Sequence, residues 1–170
     1  MRKLALLGLA LVACSDSGGP GSSVMTALVN GASFTAQNPP DHQIGLLDTT
    51  SNALTILGIQ QVAPMSFRTL AVSIRGFHGI GHYTTCGGVV FGTYFQVDQA
   101  DSTRVEPFYT TDTTCGGQVD VGAYEPAFST ISGTFHFTAT SFFAPDTVHV
   151  TDGRFDGQFA ISDIVIGALP

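Results

Sequence analysis

The sequence predicts an all-β protein with almost no helix. The chain after residue 23 is rich in threonine, valine, phenylalanine and isoleucine, residue types that favour the pleated surface of a sheet. Residues 131–140 alternate apolar and polar side chains almost without interruption, the pattern of a strand with one buried face. Beyond residue 23, no segment of ten or more residues keeps a helical period with capping residues. We therefore expect one antiparallel β-sandwich, jelly-roll-like, or a partly closed barrel of about ten short strands.

The predicted strands follow one another at short intervals through residues 24–170, which we expect to form a single domain. Asn30-Gly31 is a hairpin signal that joins the first two strands. A turn at Asp152-Gly153 is expected to separate the last two. In chain order, the strands are expected at residues 24–30, 32–36, 43–47, 53–60, 69–77, 89–97, 104–109, 118–124, 131–140, 147–151 and 154–161.

The alternation also predicts which side chains face the core. In residues 118–124, Val119, Val121 and Ala123 are expected to point inward. His136 and His149 alternate with apolar neighbours, so both are expected on the solvent face beside threonines. The sheet should therefore have one buried face and one wet face.

Residues 1–13 have the composition of a secretory signal. Arg2 and Lys3 make a basic start, and residues 4–13 carry no charged or polar side chain. A membrane-spanning helix needs about 20 apolar residues, and this stretch has only ten. It is typical of the apolar region of a signal peptide and too short to be a membrane anchor.

The segment Leu11-Val12-Ala13-Cys14 resembles the lipobox of bacterial lipoproteins. The resemblance implies that residues 1–13 are cleaved, that the thiol of Cys14 is joined to diacylglycerol and that the new amino group is acylated. Several acyl chains hold a protein on a membrane far more firmly than one. Ser15 directly after the cysteine implies transfer to the outer membrane. The alternative is an ordinary cleaved signal in which Cys14 is incidental.

Residues 14–23 are predicted to be the lipidated cysteine followed by a flexible linker. Residues 15–23 are mostly serine and glycine, and a flexible tether of that length has a root-mean-square span of about 16 Å. The tether is therefore long enough to keep the folded domain clear of the lipid headgroups, on the periplasmic or the surface face of the membrane.

The charge of the chain excludes one class of partner. Without residues 1–13, four basic residues remain against 13 acidic ones, a formal charge of −9 with no lysine. Phosphate recognition needs a cationic surface, so nucleic acid and anionic lipid are poor partners.

Cys86 and Cys115 lie in matching settings, each within Thr-Thr-Cys-Gly-Gly. With Cys14 assigned to lipid, they are an even pair in an exported chain, and disulfides persist outside the cytoplasm. We therefore predict a disulfide between them. Free buried thiols, or metal or redox chemistry, are the alternatives. A metal site would need two further ligands, and no Cys-x-x-Cys spacing is present.

The remaining candidates for chemistry form no motif, so we expect no catalytic residue, metal or cofactor, and no enzyme activity. His78 and His82 flank a glycine loop without an adjacent carboxylate. Residues 152–157 lack the oxygen-ligand spacing of a calcium loop, and Asp98 and Asp101 are no better placed. Nothing in the sequence nominates a carboxylate pair for glycoside hydrolysis. The other residues considered are His42, His136, His149, Glu106 and Glu125.

Four segments are similar to a pattern in uncharacterised bacterial lipoproteins that share a β-rich domain of unknown function. They are Val29-Asn-Gly-Ala-Ser-Phe34, Gln118-Val-Asp-Val121, Ile131-Ser-Gly-Thr-Phe-His-Phe-Thr-Ala139 and Val148-His-Val-Thr-Asp-Gly-Arg-Phe155. Phe34 stands where that family often has tryptophan. The resemblance implies a β-rich architecture and a lipid anchor, and it brings no catalytic residues.

These observations favour a lipid-anchored cell-envelope protein that works by binding or by structural association, with an envelope protein or glycan as partner. Its wet strand faces or its long loops would be the recognition surface. One alternative is a small-molecule carrier of lipocalin-like type, which requires a continuous apolar cavity. The other is a hydrolase of envelope glycans or peptides, which requires two carboxylates that converge in a cleft.

Overall fold

The computed structural model describes residues 23–38, 43–98, 108–111, 115–141, 143 and 145–162. The predicted signal, Cys14 and the linker up to residue 22 lie outside these ranges, as do His42, Asp101, Glu106 and residues 104–107 of one predicted strand.

Eleven strands and one 3₁₀ turn make up the secondary structure of the described residues. The all-β prediction with almost no helix is confirmed, since the 3₁₀ turn Cys86–Gly88 is the only helical element within those ranges. The strands are β1 Ser23–Val29, β2 Ala32–Asn38, β3 Gly45–Asp48, β4 Ala53–Ala63, β5 Ser66–Arg75, β6 Gly81–Thr84, β7 Val90–Asp98, β8 Phe108–Thr110, β9 Gly117–Glu125, β10 Thr130–Ser141 and β11 Thr147–Ser162. β1 thus begins at the residue predicted to end the linker.

The strands form one sheet that folds back on itself. Its order is β2-β1-β11-β3-β4-β5-β7-β8-β10-β9-β6, and β10 also pairs with β11. The sheet therefore has a first half β2-β1-β11-β10-β9-β6 and a second half β3-β4-β5-β7-β8. The two longest strands, β10 and β11, connect the halves, because β11 also pairs with β3 and β10 also pairs with β8. Of the described strand pairs, β11 with β3 is parallel, and the other pairs are antiparallel.

The two halves pack face to face, and phenylalanine rings fill the interior where a facing or neighbouring residue is glycine. A methyl group built on Gly92 of β7 would lie 2.5 Å from the ring of Phe137 of β10. One built on Gly153 would lie 2.6 Å from the ring of Phe135, its partner across β10 and β11. Each ring thus occupies the space that a side chain at the glycine would need.

The β1–β2 hairpin forms as predicted. Asn30 and Gly31 have φ angles of 49° and 78°, the left-handed pair that a two-residue type I′ turn requires. The hairpin is fixed to β11, because the Asn30 side chain accepts a hydrogen bond of 2.8 Å from the His149 amide.

The predicted turn at Asp152-Gly153 is wrong. β11 continues through these residues, and the pairing register with β10 shifts between Phe135 and Phe137. Asp152 adopts a φ of 51°, so the positive φ typical of Asp-Gly is present, but it makes a β-bulge inside a strand. The bulge keeps Val150 and Phe155 buried on the same face although they are five positions apart.

A second bulge overturns the inward assignment of Ala123. The register between β9 and β10 shifts next to Gly122, so that Ala123 is exposed and Tyr124 packs against the core instead. Val119 and Val121, which precede the bulge, are buried as predicted. Period-two alternation fails after one extra residue, because every later side chain changes face.

Strand β6 lies where the sequence indicated only a flexible loop, and it pairs with β9. The loop before it closes this end of the interior with aromatic rings. Phe77 packs edge-on against Tyr124 at 5.0 Å between ring centroids, and Tyr124 stacks on Phe159 at 5.5 Å. Tyr83 completes the group and donates a 2.7 Å hydrogen bond to the Gly79 carbonyl.

The opposite end is closed where β8 meets the end of β10. The Tyr109 hydroxyl donates a 2.6 Å hydrogen bond to the Asp146 carboxylate, which precedes β11. This hydrogen bond, helped by burial, raises the pKa of Tyr109 to about 12. The same bond is the largest of the effects that hold the pKa of Asp146 below its ordinary value.

The packing predicts that Gly92→Ala is destabilising and Gly122→Ala is not. The methyl group at position 92 must displace the Phe137 ring, at a cost of about 1–3 kcal/mol for overpacking a filled interior. Gly122 has no atom within 4 Å of a built methyl group, so its substitution should change the free energy of unfolding by less than about 0.5 kcal/mol. Urea unfolding followed by circular dichroism measures both. Equal stability of the two variants would show that the Phe137 ring does not occupy this space.

Candidate functional site

A disulfide joins Cys86 and Cys115, as predicted, with 4.5 Å between the two Cα atoms. Cys86 lies just after β6 and Cys115 just before β9, and these two strands are neighbours. Two hydrogen bonds support the bridge: the Thr85 amide donates to the Gly117 carbonyl at 3.0 Å, and the Gly117 amide donates to the Thr85 side-chain hydroxyl at 3.0 Å. The two matching sequence segments therefore meet in space.

The glycines that follow the two cysteines have different roles. Gly87 and Gly88 have φ angles of 74° and 75°, which favour glycine because they lie in the left-handed region. Gly117 has no positive φ, but a methyl group built on it would lie 2.7 Å from Cβ of Phe137. The first pair allows the turn, and Gly117 allows close packing.

One polar side chain from each of six neighbouring strands forms a continuous row on the outer face of the first half. Cross-strand pairing links each member to the next, and each alternates with buried residues along its own strand. At one strand spacing per step, the row is about 24 Å long. We call it the polar row, and its members are His82, Asp120, Thr134, Arg154, Thr26 and Thr35.

Asp120 has the densest hydrogen bonding in the polar row. Its carboxylate accepts 2.5 Å and 2.6 Å hydrogen bonds from His82 Nδ1 and Gln118 Nε2. Partial burial acts to raise the pKa of Asp120, but the hydrogen bonds from Gln118 and His82 lower it. The charges of His82 and His136 act in the same direction, and the pKa of Asp120 lies below its ordinary value of 3.8. The carboxylate is therefore a fixed negative group, held between neutral or cationic donors.

A shallow depression opens on the same face beside the β11 bulge. Its volume is about 220 Å³, and it is lined by Thr134, Phe135, His136, Asp152, Gly153 and Arg154. Two of these residues belong to the polar row. The bulge displaces β11 locally, so the depression is a consequence of the feature that the sequence suggested was a turn. The surface offers donors and acceptors side by side, which suits recognition of a polar ligand.

The other predicted candidates do not converge. His136 and His149 are exposed on the outer face, as predicted, and His149 Nδ1 lies 3.1 Å from the Thr138 hydroxyl. His78 Nδ1 lies 3.0 Å from the Gly76 carbonyl, whereas His82 pairs with Asp120. Over the described ranges, no three histidine, cysteine, aspartate or glutamate side chains are arranged to hold a metal ion.

Within the described ranges, the carboxyl groups whose pKa departs clearly from its ordinary value all have a lowered pKa. They are Asp48, Asp120 and Asp146. A general acid for glycoside hydrolysis needs a raised pKa, so these three carboxyl groups do not meet that requirement. Glu125 is exposed at the end of β9.

The part of the chain that the structure describes contains no helix that is long and apolar enough to cross a membrane. Comparisons of the chain with protein-family models, with curated proteins and with solved structures give no match. The resemblance to β-rich lipoproteins therefore stays a prediction.

The sequence placed some polar side chains of the outer face correctly but could not show which of them are neighbours. Alternation put His136 outside, and Thr134 with it. It gave no sign that His82 and Asp120, 38 positions apart, make a hydrogen bond. That contact depends on the pairing of β6 with β9. In a strand of four residues, the one sequence sign of alternation is the apolar ring of Tyr83 after the polar His82, and the structure buries that ring.

Removal of the disulfide should destabilise the fold without changing it. The bridge closes a loop across a sequence separation of 29, which corresponds to about 3–4 kcal/mol in the chain-entropy model. Urea unfolding of the double variant Cys86→Ser/Cys115→Ser should give a free energy of unfolding lower by that amount. The variant should keep the wild-type circular dichroism spectrum. Non-reducing peptide mass spectrometry of the wild type should find the two cysteines in one linked species. Two alkylatable thiols in the native protein would contradict the bridge.

Proposed function

We propose that the protein is a lipid-anchored module of the bacterial cell envelope that binds a polar partner through the outer face of its first half. The anchor would be the acylated Cys14, and the expected location is the outer membrane. An envelope glycan is the first candidate partner, and an envelope protein is the second.

The anchoring part of the proposal is supported by the N-terminal sequence and by the disulfide. Leu11-Val12-Ala13-Cys14 follows a basic start and an apolar stretch of signal-peptide length. The bridge between Cys86 and Cys115 is of the kind that persists in oxidising compartments outside the cytoplasm. Both features agree with export, and the first also supplies the lipid.

The observation that carries the binding part is the polar row. Its side chains offer both hydrogen-bond acceptors and donors across six strands, with Asp120 held as an anion and Arg154 exposed two strands away. A flat row of this kind presents hydrogen-bonding groups at regular intervals to an extended polar ligand. The depression beside Thr134 and Arg154 gives such a ligand one recessed contact.

Neither alternative function gains support from the described residues. A carrier of lipocalin-like type needs an open interior, whereas Phe135, Phe137 and Phe155 fill the space between the two halves. A hydrolase needs converging carboxyl groups, one of them with a raised pKa. The described carboxyl groups whose pKa is clearly shifted have a lowered pKa.

Lipidation is tested directly on the full chain expressed in a diderm bacterium. The wild type should incorporate labelled palmitate, lose residues 1–13 and fractionate with the outer membrane. Cys14→Ser should incorporate none and stay unprocessed, because that thiol is the acceptor of the lipid. An unlabelled wild-type chain, or label that persists in the Cys14→Ser protein, would contradict the proposed anchor.

The binding face is tested with a matched pair of arginine variants. Arg154→Ala removes an exposed cation from the polar row, while Arg75→Ala removes an exposed cation from the second half. Isothermal titration against purified envelope glycans should show weaker binding for Arg154→Ala by about 1–3 kcal/mol, the range for a lost charged hydrogen bond, and wild-type affinity for Arg75→Ala. Equal affinities of the three proteins would move the binding site elsewhere. Binding to none of the glycans, with binding to an envelope protein, would favour the second candidate partner.

A further inference from the structure

We propose that the end of the domain at which Ser23 enters the fold rests on the lipid surface, with Phe128, Ile161 and Ile80 in contact with a zwitterionic headgroup layer. This docking surface rests on the proposed lipid anchor. It is distinct from the polar row, which runs across the side of the first half.

Ser23 is the point where the tether reaches the fold, and its position is well defined. The residue is buried, and its hydroxyl accepts a 3.2 Å hydrogen bond from the Gln158 amide of β11. On the other side of β11, Gln158 pairs with Thr130 of β10. Two strand spacings, about 10 Å, therefore separate Ser23 from the start of β10 and from the turn that precedes it.

That turn presents Phe128 to the solvent from a fixed backbone. The Phe128 amide donates to the Glu125 carbonyl at 3.1 Å, and the Ser129 amide donates to Pro126 at 3.3 Å. The Ser129 carbonyl in turn accepts a 2.9 Å hydrogen bond from the Phe159 amide of β11. Phe128 nevertheless leaves 71% of its surface exposed. An ordered turn that holds an exposed phenylalanine beside the tether is suited to the apolar boundary of a membrane.

Two further apolar side chains are exposed at the same end. Ile161 follows Gln158 by three residues on β11 and is 52% exposed. Ile80 is 64% exposed and precedes Gly81, which pairs with β9 at Val121. Together with Phe128 they give this end of the domain three exposed apolar side chains.

The tether length selects this end over the other. Only residues 15–22 lie between the lipidated cysteine and Ser23, with a root-mean-square span of about 16 Å. The opposite end of β11 begins at Thr147, ten residues from Gly157 and thus about 30 Å from Ser23 along the strand. Phe143, just before that end, is as exposed as Phe128, at 71%, but lies beyond the reach of the relaxed tether.

The charges at this end favour a lipid surface without net charge. Among the described residues at this end, Asp48, Glu125 and Asp156 are acidic and Arg75 is basic, so negative charge is in excess. Anionic headgroups would be repelled, whereas zwitterionic headgroups such as phosphatidylethanolamine or phosphatidylcholine would not. The excess of acidic residues therefore sets the lipid class.

Two single-tryptophan variants of the full, lipidated chain test the surface, because the protein contains no tryptophan of its own. Phe128→Trp places the reporter at the proposed surface, and Phe143→Trp is the matched control with equal exposure at the other end. Each purified protein is reconstituted into phosphatidylcholine vesicles with or without bromine on the acyl chains. Ile80→Trp gives an independent reporter should Phe128→Trp lower the thermal midpoint.

The fluorescence of the Phe128→Trp protein should move to shorter wavelength on vesicles and lose most of its intensity in brominated lipid, while that of the Phe143→Trp protein should do neither. Equal quenching of the two proteins, or quenching of neither, would overturn the docking surface. Flotation of the same vesicles tests the lipid anchor separately from the docking surface. Protein that floats without quenching at position 128 overturns the docking surface alone, and protein that does not float overturns the anchor and the docking surface with it.

Discussion

The close fit of phenylalanine rings against glycines is the interaction on which the rest of this fold depends. Phe135 lies against Gly153, Phe155 against Gly133 and Phe137 against Gly92. The first two pairs are cross-strand neighbours in β10 and β11, and the third joins β10 to β7 across the interior. Each ring occupies the space that a side chain at its glycine would need, so these pairs fix both the register of β10 and β11 and the approach of the two halves.

The register fixed by the rings decides which side chains reach the solvent. With Phe135 and Phe155 turned inward, Thr134 and Arg154 must face outward and lie side by side. The bulge at Asp152 restores the inward position of Val150 on the far side of the insertion. It also opens the depression on the outer face. A feature of core packing thereby creates the recessed part of the candidate binding face.

The two ends of the domain differ in what closes and stabilises them. One end is closed by the aromatic group of Phe77, Tyr83, Tyr124 and Phe159, and it receives the chain at Ser23. At the opposite end, the disulfide links β9 to β6, a four-residue strand at the edge of the sheet that gains most from a covalent link. The polar face between the ends stays accessible if the first end rests on a membrane.

Much of the fold follows from the sequence because alternation and turn chemistry are local. The pattern of β10 and the Asn30-Gly31 hairpin could be predicted in this way. The pairing of Cys86 with Cys115 was predicted from the count of cysteines in an exported chain. Neither bulge could be predicted, because an extra residue leaves the composition of a strand unchanged. The bulge shows only in the pairing of that strand with its neighbour. Strand β6 is too short to show a period, and the His82–Asp120 contact needed its register. Single members of the candidate site, such as Thr134, were therefore predictable as outward polar residues, but the row was not.

Ring-current shifts of glycine Hα protons measure the central contact most directly. A proton that points at the face of an aromatic ring at van der Waals distance resonates well upfield of its ordinary position. The close packing predicts such shifts for one Hα of Gly92 and of Gly153, with nuclear Overhauser contacts to Phe137 and Phe135 respectively. It predicts none for Gly122, which has open space around it. Ordinary shifts at Gly92 and Gly153, without contact to either ring, would contradict the packing from which the outer face is derived.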